Sequence, residues 1–348
     1  MAVRHGSEVT QYNTPSKPLH SDGSVNCVKC KRILQVLTQT EQEHLVYEGV
    51  TYNDYIYIIG HLEDAECQKT RHRLTFFPYT ECLMASTPLP AHESILCVVR
   101  IRLGSILESI PVSGRVYFDI RSAALVRKDS IIGVPDGLVK IWSECNATAQ
   151  RILLMEAVFS QTDDQVMNKL RDYVHNEPDL LLACKIVFKQ VSHYHSPRRR
   201  TARQLQASRV MMESKWNSSV GDAEFTRVVV GGHKWFAVSS VQIHVWIRQP
   251  GDSDINLDLL DSNYYGFGTL YPAVDLSDVN RVFQCSLALV KNAVMAELPA
   301  GIVDTGVEEW SPPDHLLDAG TLQQRLVMAA KETAYERYCR WHTTVSRG

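Results

Sequence analysis

The chain has 348 residues, 45% of them hydrophobic and 22% charged, with a formal net charge of -3. That is enough apolar material for a sizeable core in one large or two ordinary domains, and the balance excludes a global positive field, so any nucleic-acid binding must use a local patch. The polar N-terminus lacks the apolar stretch of a secretory signal, no run approaches the roughly 18 apolar residues of a membrane span, and nine scattered cysteines imply reduced thiols, so an intracellular protein, nuclear or cytoplasmic, is expected.

Residues 1–25, rich in Ser, Pro, Gly and Asn, read as a flexible tail, and 26–348 as a single α/β domain. Cys27 and Cys30 have zinc-ligand spacing but form half a site, which His61, Cys67 and His72 would have to complete; two free thiols are the expected state. "VKCKRILQVLTQTEQEHLVYEG" has helical spacing, and the aromatic, β-branched "TYNDYIYIIGHL" predicts a strand. "RHRLTFFPYTEC" is a second strand, broken by Pro78. Ile95, Val98, Val99, Leu103, Ile106 and Leu107 mark a helix that Pro111 closes.

"GRVYFDI" and "AALVRKDSIIGVPDGLVKIW" predict strands, and "RILLMEAVF" returns as the second arm of a hairpin turning near Asn146. A helix follows, capped by Ser160 or Thr162, with Val166, Leu170 and Tyr173 or Val174 as its stripe, and Pro178 ends it. The nearly continuous apolar run "LLLACKIVFKQV" is a buried strand, and strand–helix–strand implies a parallel pairing. Residues 192–222 are polar and read as a loop insertion. "HKWFAVSSVQIHVWIRQP" predicts one or two strands, a short helix starts near Ser277, and "GTLQQRLVMAAKETAYERYCRWH" is an amphipathic helix.

The hairpin carries the chemistry. Asp136, Leu138, Lys140 and Trp142 share one face of one arm, and Ile152, Leu154, Glu156 and Val158 share one face of the other, so Asp136 and Glu156 fall near its open end. Two carboxylates placed together repel unless a cation sits between them, and a hard, oxygen-ligated ion such as Mg2+ or Mn2+ suits them. Pro-Asp-Gly is also an ordinary turn signature, and Glu156 has a plainer reading as the partner of Arg151 or Lys185.

This order, P-D, a hairpin, an acidic residue in a hydrophobic strand, then a helix and a strand, resembles the PD-(D/E)XK nuclease superfamily and, more narrowly, nuclease-like proteins of fungal genomes. The resemblance covers 115–190. It implies a restriction-endonuclease-like core, a mixed central sheet flanked by helices with N- and C-terminal decorations. It also implies Asp136 and Glu156 as metal ligands, a backbone carbonyl of Ala157 or Val158 as a third oxygen, and metal-assisted hydrolysis of a phosphodiester. The family lysine falls two residues after the Glu, where this chain has Val158. Lys140, Gln161 and Lys169 are the candidate substitutes, although Lys140 lies about 13 Å along its strand from Asp136 at roughly 3.3 Å per residue.

Arg198, Arg199, Arg200 and Arg203 form a basic cluster, which serves as a phosphate-contacting patch, a receptor-read nuclear address or a solvated loop. The aromatics around His233 and His244 read first as core and second as a base-stacking surface. Tyr335, Tyr338 and Trp341 cover a sheet or fill a partner's groove. The leading expectation is a Mg-dependent endonuclease-like protein. The alternative is a degenerate module of the same fold that binds nucleic acid or a protein partner.

Overall fold

The structure is a computed structural model that describes residues 24–39, 42–63, 72–112, 116–122, 125–128, 131–144, 149–159, 162–192, 194–206, 210–220, 227–298 and 305–345. Helix α1 (Cys27–Gln39) buries Cys30, Ile33 and Leu37, one stripe at helical spacing. Strand β1 (His44–Tyr47), helix α2 (Tyr52–Glu63) and strands β2 (Arg73–Phe77) and β3 (Cys82–Ser86) follow. Helix α3 (Pro90–Glu108) begins with proline, which fits a first turn, and buries Ile95, Val99, Leu103 and Ile106. Strand β4 (Val116–Arg121) opens the larger sheet, while the short β5 (Val126–Arg127) and β6 (Ile132–Gly133) return to a smaller one of order β1-β3-β2-β6-β5.

Strands β7 (Gly137–Ser143) and β8 (Gln150–Val158) form the expected antiparallel hairpin. Helix α4 (Asp163–Asn176) then crosses to β9 (Leu182–Gln190), which runs parallel to β8. Helices α5 (Arg199–Gln206) and α6 (Glu213–Ser219) precede β10 (Arg227–Val230) and the 15-residue β11 (His233–Ile247). Gly231 and Gly232, both at positive φ, make the two-residue turn between them, a conformation that costs glycine little. Strand β12 (Tyr265–Tyr271), α7 (Ser277–Ala296), α8 (Thr305–Glu309) and α9 (Ala319–Val345) complete the order.

The larger sheet is mixed and seven-stranded, β10-β11-β9-β8-β7-β4, with β12 paired to the far part of β11. Residues 115–190 supply β4, β7, β8 and β9, and the sheet continues through residues 227–271. Alternation along β8 decides which layer each residue meets. Leu153, Met155 and Ala157 share a cluster with α3 and α9, whereas Leu154 and Val158 share another with Val166 and Leu170 of α4. Glu156 therefore belongs to the α4 side. No described helix is long and apolar enough to cross a membrane.

Three expectations need correction. "TYNDYIYIIGHL" is not a strand but α2. Thr51 Oγ1 accepts from the Asp54 amide and Asp54 Oδ2 from the Thr51 amide, each at 3.2 Å, and this reciprocal cap starts the helix. Packing of Tyr55 and Ile58 then overrides β propensity. The expected loop at 192–222 carries α5 and α6, anchored by fully buried Trp216 stacked 4.9 Å from Tyr338. The helix near Ser277 is not short but 20 residues long, with Val279, Phe283, Leu287, Val290 and Val294 buried. The expected tail lies almost wholly outside the described residues.

Candidate metal centre

Asp136 sits just before β7, and the hairpin register sets Gly137 opposite Met155, so Asp136 meets β8 at Glu156 and Ala157. Its Oδ2 accepts from the backbone amide of Ala157 at 2.8 Å, which ties the open end of the hairpin together. Asp136 and Glu156 are both buried. Glu156 points to the α4 side, where Lys169 donates to its Oε2 at 2.9 Å.

Other elements complete the cluster. Arg73 of β2 donates to Asp136 Oδ1 and, through Nη2, reaches Glu93 Oε1 at 2.8 Å. His92, in the first turn of α3, places Nε2 3.1 Å from Asp136 Oδ2 and 3.0 Å from the Ala157 carbonyl. Its Nδ1 lies 3.2 Å from Glu93 Oε1. Both ring nitrogens thus face oxygens that only accept, so the ring carries both protons and a charge. Three carboxyl groups, Glu93, Asp136 and Glu156, face three basic groups, Arg73, His92 and Lys169.

The two buried carboxyls are driven apart in acidity. Burial alone would raise Asp136, but charged His92, then Lys169 and Arg73, hold it well below the usual carboxylate range. Burial raises Glu156; Lys169 opposes the rise, Asp136 reinforces it, and the net direction is upward. Burial would lower His92, yet Asp136 and Glu93 more than reverse this and keep it protonated. Neighbouring titratable groups pushed in opposite directions are a mark of acid–base division of labour.

Arg73, His92, Asp136, Glu156, Phe159 and Lys169 line a cavity of about 20 Å³, room for about one water-sized occupant. His92, Glu93 and Asp136 offer ligand atoms all within 4.8 Å of one another, a set capable of coordinating a divalent ion. Glu156 Oε1 is buried with no hydrogen-bond donor among the described residues, which leaves an oxygen for a cation or water. Carboxylate oxygens and one imidazole suit Mg2+ or Mn2+, so the donor set fits such an ion. His92 must first release a proton, because only a neutral imidazole ligates.

The structure therefore brings Asp136 and Glu156 together with Lys169. Lys140 stands apart from the cavity, half-buried, in the field of Arg121, Arg151, Asp119 and Glu177. Gln161 lies outside the described residues. Arg198 and Arg203 are exposed, and Arg199 and Arg200 open α5. Arg151, weighed as a partner for Glu156, instead binds Glu177 at 2.7 Å, and Lys185 binds Asp163 at 2.8 Å. The Cys30 thiol lies 3.4 Å from Asp54 Oδ1 and is pushed up to about 12, mainly by burial, so without a metal it rests as a protonated thiol.

Arg73, His92 and Glu93 escaped the sequence reading. The one signal for the last two is a His-Glu pair placed where an amphipathic helix begins, in "PAHESIL". A scan against protein-family models returns no match to this chain, and a search of curated proteins returns none.

Proposed function

We propose that this chain is a metal-dependent, nuclease-like hydrolase of phosphodiester bonds in nucleic acid. The observation that carries the reading is the convergence of Asp136, Glu156 and Lys169 on one buried cavity. The hairpin that presents both carboxylates, followed by a helix and a parallel strand, supports the restriction-endonuclease-like reading. Lys169 brings to the cavity, from α4, the cation that Val158 cannot supply from β8.

Asp136, Glu93 and His92 would hold Mg2+ or Mn2+, with Glu156 beside them. The ion, when bound, supplies a water of lowered pKa and neutralises charge on the phosphate. Asp136 stays ionised and anchors the amide of Ala157. Glu156, its pKa raised to about 8 chiefly by burial, is largely protonated at neutral pH and is the carboxyl suited to donate a proton to the leaving oxygen. Lys169 orients Glu156 and adds positive charge beside the phosphate. Exposed Arg198 and Arg203 support a polyanionic substrate.

A second reading has its own observation. Arg73 already bridges Asp136 and Glu93, so protein cations alone neutralise these two carboxylates. This favours a degenerate module of the same architecture that binds nucleic acid or a protein partner without cleaving it.

Calorimetry with Mn2+ and cleavage of a labelled oligonucleotide decide between them. Asp136→Ala and Glu156→Ala are each expected to abolish metal binding and lower cleavage by about 100-fold or more. Cleavage that survives both substitutions would sink the hydrolase reading. Nucleic-acid binding by a native chain that neither binds metal nor cleaves would establish the second.

A further inference from the structure

A second cavity, of about 240 Å³, lies beside the first at the ends of β9 and β11. The two share a wall: Phe159 lines the metal cavity, and its ring is 5.8 Å from Phe236 and 5.5 Å from the Arg337 guanidinium, both of which line the second. Tyr194 and His233 supply aromatic surface there, backed by fully buried Trp235. His233 stands edge-on to Trp235 at 4.6 Å, and Tyr194 lies 6.3 Å from each.

The charges narrow the choice of occupant. Arg337 is deeply buried over the Tyr194 ring at 4.6 Å, and its guanidinium is already engaged. It grips both Glu43 oxygens at 2.7 and 2.8 Å and the Trp235 carbonyl at 2.8 Å. The wall is therefore rigid and neutral, ill-suited to capturing an anion but suited to a flat π-system. Polar groups stand around it. His233 Nε2 is buried with no hydrogen-bond partner among the described residues, and Gln190, Ser192 and His195 line the same space. Lys234, which donates to Ser192 Oγ at 2.8 Å, pairs with no carboxylate among the described residues. The volume falls below the roughly 300 Å³ at which pockets for drug-sized ligands begin, so it suits one small ring system.

We infer that this cavity receives a single unpaired nucleobase, stacked on Tyr194 with the nearly perpendicular His233 at its edge, of a strand whose phosphate lies against the mouth of the Asp136–Glu156 cavity. The inference rests on the hydrolase reading and names its substrate class: single-stranded nucleic acid, or a nucleotide drawn out of a duplex. A base buried inside a helix cannot reach such a pocket, and flipping a stacked base costs a few kcal/mol. Lys234 would meet an adjoining phosphate.

The test is affinity without divalent metal, in EDTA, measured by fluorescence anisotropy on the full chain. Two probes carry equal numbers of phosphates: a short single-stranded oligothymidylate and a fully abasic strand of the same length. Native protein is expected to bind the base-bearing strand about 10-fold more tightly, since one base on an aromatic ring contributes ~1–3 kcal/mol. Tyr194→Ala and His233→Ala should each remove most of that preference, and Tyr194→Phe should keep it. Equal affinity of the native chain for both strands overturns the pocket without needing any variant, as does a preference that Tyr194→Ala and His233→Ala both retain. The hydrolase reading is judged separately, by loss of cleavage in Asp136→Ala, so a chain that cleaves but does not discriminate the strands refutes the base pocket alone.

Discussion

Lys169 is the residue on which stability and chemistry meet. Its ammonium is buried and directed at Glu156. Removing one partner of a buried ion pair ordinarily costs about 3–5 kcal/mol. Glu156 has an escape: it takes up a proton, as its raised pKa already favours. The sign follows from linkage. A carboxyl whose folded pKa lies above its unfolded value of 4.5 favours the fold at acid pH and loses that contribution as pH rises through the folded value. Lys169→Met raises that folded value further. Urea unfolding should therefore show a Lys169→Met deficit that is flat from pH 4.5 to neutrality, where Glu156 is protonated in both folded proteins, and that widens as pH rises through about 8. A deficit that shrinks with rising pH would show that Lys169 is not the partner of Glu156. Asp136 and Glu156 were legible in the sequence because one hairpin delivers both. Lys169 was legible only as one of several cations, since its distance from Glu156 depends on how α4 docks. Arg73 and His92 were not legible, because they reach Asp136 from chain positions 63 and 44 residues away.

At the scale of elements, local pattern reads well where neighbours in sequence are neighbours in space. The β7–β8 hairpin, α4 and β9 followed from alternation, helical periodicity and a cap. That cap is specific. Thr162 Oγ1 accepts from the Gln165 amide at 3.3 Å, and Gln165 Oε1 accepts from the Thr162 amide at 3.1 Å. Because α4 holds Lys169 against Glu156, loosening its first turn should reach the centre. Thr162→Ala is expected to cost about 1 kcal/mol in denaturant unfolding, and hydrogen exchange should rise in the first turn of α4. Unchanged exchange there would show that tertiary packing alone holds the helix end. Local pattern misleads at α2, where propensity favours a strand and burial against α1 decides otherwise. It misleads again at α5 and α6, where a mostly polar segment is held by one tryptophan that composition does not single out.

At the scale of the molecule, the smaller sheet and the α9 layer clasp the larger sheet from two sides. Arg73 comes from the smaller sheet, and Glu43, just ahead of β1, forms a bidentate pair with Arg337 of α9. Arg337→Met leaves the largely buried Glu43 side chain without its bidentate partner, with an expected cost of about 3–5 kcal/mol. Glu43→Gln in the same chain should recover part of it, so a double-mutant cycle in urea measures the coupling; strict additivity would dissolve the clasp. The position of His92 has the same long-range origin. The backbone amide of Ala91, its neighbour in the first turn of α3, donates to Thr333 Oγ1 of α9 at 2.9 Å. The ribosome makes α3 more than 200 residues before Thr333, as the 242-residue separation of that bond shows. The larger sheet can begin to form while the chain is still emerging, but the histidine that faces Asp136 is not braced until α9 has been synthesised and docked. A nascent chain halted before Ala319 would own both hairpin carboxylates without this brace, so the centre matures late in the chain's own synthesis.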